Sequence, residues 1–323
     1  MDTATATALY ARKTEGFDAR VDHARRLLAQ AADAHSDAIV QASSLGAEDL
    51  VLTDLIARDR LPIAIATLDT GKLHAETLAL VDAIRERYGL FVERYRPVHE
   101  AVIAFVGRHG EDAMKQSVEL RQACCALRKV EPLGRMLAGR SAWVTGLRRE
   151  QSNDRGTVAF EALDEHGRAK LSPLADWSWA DVWHYLHLND VPYNALHDRF
   201  FPSIGCAPCT RAVAVGEDFR AGRWWWEQAG TKECGLHVAA PASLKAFCAR
   251  CRTTHESLPP EKSSAGRSNA AAVSRRMKIA SSSSASSWAT SNSGSARRSS
   301  GVGAFMPKLR SRSQVRRRAG RIP

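Results

Sequence analysis

Short apolar segments alternate with amphipathic segments through roughly the first half of the chain. Four apolar segments have the length of buried strands, at residues 38–40, 63–68, 91–95 and 142–145. Between them, apolar side chains recur at helical spacing, as in residues 50–56 and 74–88, and Gly89 ends the second of these segments. Strands separated by helices of this length predict an α/β fold, in which a parallel sheet is flanked by helices.

Three of the predicted strands run into polar turns, at residues 43–49, 69–72 and 146–151. Sheets of this kind bind ligands at the carboxyl ends of their strands, so we expect the turns to meet at one edge. Ser43, Ser44 and Gly46 stand just before a helix, where backbone N–H groups and the helix dipole suit a phosphate-like anion. Ser and Gly also begin many helices as simple caps, so this turn alone does not establish a nucleotide site.

The composition changes after about residue 250, where Ser, Arg and Ala dominate. Residues 252–323 contain 15 Lys and Arg but only two Glu, whereas the whole chain has 46 basic and 35 acidic residues. Residues 1–251 therefore carry a net charge of about −2. A basic tail could bind nucleic acid, but so few apolar side chains cannot offset the entropy of ordering. We expect residues 241–323 to be disordered or frame-shifted, and we expect no nucleic-acid partner.

Paired cysteines give the strongest chemical signal. No apolar run approaches the roughly 20 residues that span a bilayer, so a cytoplasmic protein with mostly reduced cysteines is the expectation. Cys124 and Cys125 are adjacent, and Cys206 and Cys209 form a C-x-x-C motif. Four thiolates could hold an iron–sulfur cluster or a structural zinc ion, and adjacent thiolates suit a cluster with several iron corners better. A redox pair beside two buried cysteines is a further alternative.

A fifth cysteine, Cys234, stands apart from these four near the end of the patterned region. Lys232 and His237 are close to it in sequence and would favour its thiolate, the nucleophilic form of the side chain. The adjacent Gly235 suggests a mobile segment. On these residues alone, a surface thiol without a function is the simpler interpretation.

Eight short motifs occur together between residues 43 and 237. In chain order they are SSLGAED (43–49), LDTG (68–71), CCALRKVEP (124–132), TGLRR (145–149), SPL (172–174), GCAPCTR (205–211), GRWWWE (222–227) and KECGLH (232–237). Their combination resembles the assimilatory adenylyl-sulfate (APS) reductases over roughly residues 35–240. The resemblance implies an adenine-nucleotide α-hydrolase-like fold, related to ATP pyrophosphatases. We therefore divide the chain into a helical extension (1–34), a catalytic domain (35–240) and a tail (241–323), which begins where family members usually end.

The resemblance implies a role for each matching residue. Cys124, Cys125, Cys206 and Cys209 match the ligands of a [4Fe-4S] cluster, and Cys234 matches the catalytic nucleophile. The positions that match substrate-binding residues are Ser43, Ser44, Gly46, Glu48, Asp49, Leu68, Thr70, Lys129, Gly146, Arg148, Arg149, Arg220, Arg223 and His237. The implied reaction is reduction of APS to sulfite and AMP through a Cys234 S-sulfonate, with thioredoxin or glutaredoxin as reductant. The enzyme could assemble as a homo-oligomer.

Other functions stay open at this point. A phosphoadenylyl-sulfate (PAPS) reductase performs the same chemistry on a 3′-phosphorylated substrate, although such enzymes usually lack the cysteine set found here. An ATP pyrophosphatase or a sulfate adenylyltransferase would use the turn at residues 43–49 but would not need Cys234. A metal-held module could bind nucleic acid through the tail. His197 receives no role, because a lone histidine is most often an ordinary surface or core residue.

Overall fold

A computed structural model of the chain describes residues 5–151, 155–214 and 216–227. All of them lie in one compact unit, Met1–Pro260. Two predicted site residues, Cys234 and His237, lie outside the described residues, and so does the predicted tail. The division of the chain at residues 34 and 240 stays a prediction.

A six-stranded sheet forms the centre of the described part. Its strands are β1 (Ile39–Ser43), β2 (Ala64–Leu68), β3 (Val92–Tyr95), β4 (Ala142–Val144), β5 (Glu161–Leu163) and β6 (Ala169–Leu171). Their order across the sheet is β3-β2-β1-β4-β6-β5. Neighbouring strands are parallel except for β5 and β6, which are antiparallel. The predicted α/β fold is confirmed, with one correction at the sheet edge.

That correction concerns β5 and β6, which the sequence pattern did not reveal. Each of them is three residues long, and every residue of β5 is exposed. Neither segment is a continuous apolar run, because Glu161 opens β5 and Lys170 divides β6. An antiparallel edge strand on an otherwise parallel sheet is a common arrangement in α/β proteins, so the sheet is mixed rather than wholly parallel.

Helices connect and flank these strands. They are α1 (Ala6–Tyr10), α2 (Phe17–His35), α3 (Ala47–Arg58), α4 (Ala75–Tyr88), α5 (His99–His109), α6 (Val118–Cys125), α7 (Glu131–Met136) and α8 (Trp179–Leu188). A π-helical segment, Ala126–Val130, joins α6 to α7. Helix α4 ends at Gly89 in the left-handed conformation (φ 68°), as predicted. Among the described helices, none has the length and apolar character needed to cross a membrane.

Both faces of the sheet are buried. Ile39 of β1 and Ile65 of β2 belong to the larger hydrophobic cluster, together with residues of α2, α3 and α8. Val40 and Ala66, the next residue in each strand, belong to a smaller cluster that includes Met136 of α7. Because successive side chains of a strand point to opposite faces, the sheet is covered on both sides, as its apolar strands predict.

The N-terminal helices pack against the rest of the unit. Phe17 of α2 lies in the larger hydrophobic cluster. Asp181 of α8 accepts hydrogen bonds from Thr14 Oγ1 at 2.7 Å and Arg20 Nη2 at 2.9 Å. The same carboxylate completes the capping box of α8 with Ser178. One buried carboxylate thus fixes both the start of α8 and the chain entering α2.

Candidate active site

The turns after β1, β2 and β4 meet around a cavity of about 230 Å³, which we call the large cavity. It lies at the carboxyl edge of the sheet, where the topology of parallel strands places ligands. The predicted substrate-binding residues that line it are Ser43, Ser44, Gly46, Glu48, Asp49, Leu68, Thr70, Lys129, Gly146, Arg220 and Arg223. Arg148 and Arg149 are not among its lining residues.

Asp49 joins two of these turns. Its Oδ2 accepts hydrogen bonds from the backbone N–H and the hydroxyl of Ser44, both at 2.6 Å, and its Oδ1 accepts one from Gly146 N–H at 3.1 Å. Burial raises the pKa of Asp49 to about 6, although the bonds from Ser44 oppose the shift. A Cβ at Gly146 would come within 2.5 Å of Asp49 Oδ1, so only glycine allows this approach. The sequence predicts Ser44 as a hydrogen-bond donor to a phosphate. In the structure, its N–H group and its hydroxyl donate to the carboxylate of Asp49.

Arg148 supports the cavity wall from behind. It is 1% exposed, and its guanidinium binds Glu48 at 3.0 Å and Glu150 at 2.7 Å. Burial acts to raise the pKa of Glu48, but Arg148 and the amide of Gln151 outweigh it and hold that pKa below its ordinary value. Glu48 therefore stays ionised in the wall, and Arg148 serves as its buried counter-ion.

Arg149 also makes internal contacts. Its Nε donates to the carbonyl oxygen of Val158 at 2.8 Å, and its guanidinium lies over the ring of Phe160 at 5.0 Å. Two residues that the sequence analysis did not assign, Gln151 and Arg155, line the large cavity instead. Both residues follow the TGLRR motif closely in the sequence, and this proximity is the feature from which they could have been predicted.

The four predicted cluster ligands converge on a second, smaller cavity of about 20 Å³, the thiol cavity. Cys124 and Cys125 end α6, and Cys206 precedes a 3₁₀ turn, Ala207–Cys209, that ends with Cys209. All four are buried free thiols. The structure therefore brings together two cysteine pairs that are far apart in the sequence.

Polar contacts tie the C-x-x-C loop to the turn after β2. The hydroxyl of Thr70 lies 3.2 Å from Cys206 Sγ, and Ala207 N–H donates to the carbonyl oxygen of Lys72 at 2.7 Å. Arg128, which is buried, donates through Nη1 to the carbonyl oxygen of Thr70 at 2.8 Å. Thr70 thus links the cysteines to the edge of the large cavity.

The surroundings of the thiol cavity suit a negatively charged cofactor. Burial raises the pKa of Cys124 and, together with neighbouring Cys206, raises that of Cys209 to about 11. Lys72, Arg128 and Lys129 line the same cavity. Within the described residues, no group of three or more Cys, His, Asp or Glu side chains is positioned to hold a single metal ion. The donor set is four thiols with cations beside them, which fits an iron–sulfur cluster.

The adjacent cysteines lie where the helix changes its winding. The chain passes from α6 into the π-helical segment Ala126–Val130, which carries Arg128 and Lys129. π-Helical turns are rare and are found frequently at functional sites. Lys129 lines both the large cavity and the thiol cavity, and so do Cys206 and Trp224. The two cavities therefore share a wall.

Arg223 lies on this shared side. A side chain at Gly205 would overlap its guanidinium, so glycine lets Arg223 reach the cavity wall. The guanidinium lies 4.7 Å from the ring of Trp224, and Arg121 lies 4.6 Å from the same ring. Arg121 also forms a bidentate ion pair with Glu227 at 2.8 and 2.9 Å, with side chains 1% and 3% exposed. The sequence analysis assigned neither partner of this pair.

Known proteins match the chain over its central part. The family model described as phosphoadenosine phosphosulfate reductase domain matches residues 38–212. The adenosine 5′-phosphosulfate reductase of Burkholderia cepacia is 54% identical over 254 residues, which cover 77% of this chain and 100% of that protein. The protein of the same name from Allochromatium vinosum is 53% identical over 71% of this chain and 88% of its own length. A crystal structure of phosphoadenylyl-sulfate (PAPS) reductase from Candida auris matches with a TM-score of 0.50 and 26% identity, over 61% of this chain and 97% of that one. This chain belongs to the phosphoadenosine phosphosulfate reductase family.

Proposed function

We propose that the chain reduces adenylyl sulfate (APS) to sulfite and AMP. Relatives with about half of their aligned residues identical to this chain are named adenosine 5′-phosphosulfate reductases. The observation that carries the proposal is the shared wall of the two cavities, formed by Lys129, Cys206 and Trp224. A ligand cavity with cations in its wall thus borders four buried thiols, which is the combination expected of an APS reductase.

The reaction needs a nucleophile, a role that we assign to Cys234. Its thiolate attacks the sulfur of APS, an S–S bond forms, the S–O bond to the phosphate breaks, and AMP leaves with the electron pair of that bond. Cys234 then carries an S-sulfonate. One thiolate of a dithiol of the thioredoxin or glutaredoxin class attacks the Cys234 sulfur, the S–S bond to the sulfonate breaks, and sulfite leaves with its electron pair. The second thiol then displaces Cys234 from the mixed disulfide, so that Cys234 is a thiol again and the dithiol has become a disulfide. The dithiol thereby supplies both electrons of the reduction.

Cations in the wall of the large cavity are proposed to bind the phosphosulfate group. Lys129, Arg220 and Arg223 line the cavity, and His237 is a fourth candidate outside the described residues. Guanidinium and ammonium groups form strong charge-assisted hydrogen bonds to phosphate and sulfate oxygens. Negative charge grows on the departing phosphate as the S–O bond breaks, so fixed cations stabilise the transition state more than the bound substrate.

Cys124, Cys125, Cys206 and Cys209 are the residues that would hold a [4Fe-4S] cluster. Thiolates are the usual protein ligands of such clusters, and Arg128 and Lys129 would offset the negative charge. When bound, the cluster would supply an electrostatic field next to the phosphosulfate rather than electrons, because the dithiol provides both. Lys129 lies between the two cavities and would feel this field most directly.

Replacing Cys125 with Ser is expected to remove most of the iron and acid-labile sulfide from anaerobically purified protein, because a neutral hydroxyl is a poor ligand for iron. Metal analysis and visible absorption measure the loss. The matched control is Cys248→Ser, which changes a cysteine outside the set of four and should keep the parent's iron content. Equal iron in the two variants would remove Cys125 from the ligand set, and zinc in place of iron in the parent would favour a structural zinc site.

Sulfite release from APS and from its 3′-phosphorylated form is the test of the reaction itself. With thioredoxin or glutaredoxin as reductant, we expect the parent protein to use APS at least about tenfold better, because relatives with about half of their aligned residues identical to this chain are named adenosine 5′-phosphosulfate reductases. Equal rates would indicate a dual-specificity reductase, and a preference for the phosphorylated form would indicate a PAPS reductase. Pyrophosphate release from ATP without sulfite would favour the ATP pyrophosphatase alternative.

The proposed reaction also has requirements outside the chain. Cys234 must be returned to the thiol after each cycle, and the four described cysteines are free thiols. We therefore place the enzyme in the cytoplasm, where thioredoxin and glutathione systems keep thiols reduced. A homo-oligomer stays a proposal that size-exclusion chromatography with light scattering can test.

A further inference from the structure

His197 is a buried histidine in the wall of the large cavity to which the proposed reaction assigns no role. It is 4% exposed and lies in a 3₁₀ turn, Ala195–Arg199. The side chain of Asn194 accepts a hydrogen bond from Leu196 N–H at 3.0 Å and donates one to Thr77 Oγ1 at 2.9 Å. These two bonds fix the start of the turn, and so the position of His197 is set by the fold.

Neither ring nitrogen of His197 forms a hydrogen bond of good geometry in the part of the chain that the structure describes, although the backbone of Phe201 lies near enough to interact weakly with the ring. The ring packs edge to face with Trp183 at 5.1 Å and with Trp179 at 6.1 Å, contacts that hold its orientation without using the nitrogens. Buried polar atoms in native proteins are nearly always hydrogen-bonded, because an unpaired one carries its full desolvation cost. We therefore expect a ligand bound in the large cavity to supply a hydrogen-bond partner for His197.

The imidazole of His197 is uncharged at physiological pH. Burial lowers its pKa to about 4, although Glu48, the nearby backbone of Phe201 and Asp198 favour the protonated form. A neutral imidazole offers one N–H donor and one acceptor nitrogen. A hydroxyl group or a heterocycle can both donate and accept hydrogen bonds, so it matches this imidazole better than phosphate or sulfate oxygens, which only accept them.

The two cavities differ in how they involve His197 and the cations. Lys129 lines both cavities and Arg223 packs on Trp224 of their shared wall, whereas His197 lines the large cavity alone. An anionic group of a ligand is attracted toward these cations. The uncharged half of a nucleotide therefore belongs at the side of His197.

We propose that His197 binds an uncharged polar group of the nucleoside half of the substrate and thereby positions the phosphosulfate toward the cysteines. This inference rests on the proposed function, because it takes adenylyl sulfate as the ligand. It makes His197 a specificity-determining residue for adenosine. The same contact forms with AMP, which carries the nucleoside and is the product of the reaction.

The first test is His197→Phe in the full chain. Phenylalanine keeps an aromatic ring against Trp179 and Trp183 but removes both nitrogens. The Kd of AMP, measured by calorimetry, should rise about fivefold, the effect of losing one net hydrogen bond. The thermal midpoint of the nucleotide-free protein should stay close to that of the parent, because buried nitrogens without a well-formed hydrogen bond contribute little to its stability. As a matched control, His184→Phe, which alters a histidine packed on Phe17 at 4.9 Å, should leave the Kd unchanged.

Nucleotide analogues then separate a direct contact from a structural role. The probes are 2′-deoxy-AMP and 3′-deoxy-AMP, which each lack one ribose hydroxyl, and IMP, which changes the hydrogen-bonding edge of the purine at N1 and C6. The parent should bind one of them about fivefold more weakly than AMP, and His197→Phe should lose that preference because its partner is gone. His197→Gln, which retains a donor and an acceptor, should keep the preference even where the lost ring lowers the thermal midpoint. The altered group of that analogue identifies the contact.

Two results would overturn the assignment of His197. One is an unchanged Kd of AMP in His197→Phe. The other is an equal loss of affinity for AMP and all three analogues, which describes a core residue whose removal disturbs the cavity as a whole. The proposed reaction is judged separately by sulfite release, since a parent protein that binds AMP but forms no sulfite from APS would contradict the function and not the contact.

Discussion

Serine in place of Cys234 is expected to abolish sulfite release while leaving AMP binding at the parent's affinity. A serine hydroxyl is not ionised at neutral pH and cannot form the S–S bond through which a dithiol reduces the sulfur. We expect the rate of sulfite release to fall by about four orders of magnitude or more, the usual cost of removing a nucleophile. Sulfite release with thioredoxin and the Kd of AMP are the two measurements.

The intermediate can be observed directly in the parent protein. Incubation with APS in the absence of a dithiol should leave one sulfonate on the peptide that contains Cys234, as intact-protein and peptide mass spectrometry would show. Cys251→Ser is the matched control, because it changes a cysteine of the predicted tail and should still accumulate the sulfonate. A Cys234→Ser protein with full turnover would favour the ATP pyrophosphatase or sulfate adenylyltransferase alternative, neither of which needs this thiol.

The central strands could be predicted from the sequence because each is buried on both faces. Residues 38–40 and 63–68 are nearly continuous apolar runs, and β1 and β2 contain most of these positions. The edge strand β5 escaped prediction for the opposite reason, since it is exposed at every residue, and β6 beside it buries only Ala169 and Leu171. Periodicity reports burial, and a strand that buries little leaves no periodic signal.

The same limit applies to the candidate site. Topology alone predicts that turns following parallel strands meet at one edge, and Ser43, Leu68 and Gly146 do line one cavity. Whether a charged residue in these turns faces the ligand depends on partners far away in the sequence. Arg148 matched a substrate-binding position, yet Glu48, 100 residues earlier, engages its guanidinium. The residues adjacent to Arg148 in the sequence do not indicate such a long-range ion pair.

His197 and Arg121 were missed for the same physical reason. A histidine between Leu196 and Asp198, or an arginine on an amphipathic helix, looks like a solvated residue until its burial is known. Burial of both side chains results from packing against distant tryptophans, Trp183 for His197 and Trp224 for Arg121. Long-range packing therefore determines which polar residues become functional or structural.

Arg121→Met is expected to lower the thermal midpoint by about 10 °C, the second large effect. Arg121 and Glu227 are almost fully buried, so removal of the arginine takes away the cation that faces a buried carboxylate, at a cost of about 3–5 kcal/mol. Part of the loss comes from the contact between Arg121 and the ring of Trp224. Differential scanning calorimetry at one scan rate measures the shift. The matched control is Lys13→Met, which breaks the exposed pair with Asp18 and should change the midpoint little.

The double variant Arg121→Met with Glu227→Met tests why the thermal midpoint falls in Arg121→Met. The cause is either the charge that remains on Glu227 or the loss of the ion pair itself. Apolar side chains of similar volume often replace a buried ion pair without loss of stability, so the midpoint should return to within about 3 °C of the parent.

Arg121 lies one turn before Cys124 on α6, and Glu227 follows the site residue Arg223. The pair therefore ties α6, the helix that carries two of the thiols, to the segment that contains Arg223. If the double variant regains its midpoint but not its iron content, the pair positions the thiols. An Arg121→Met protein as stable as the parent would mean that Glu227 is not buried against Arg121 in solution.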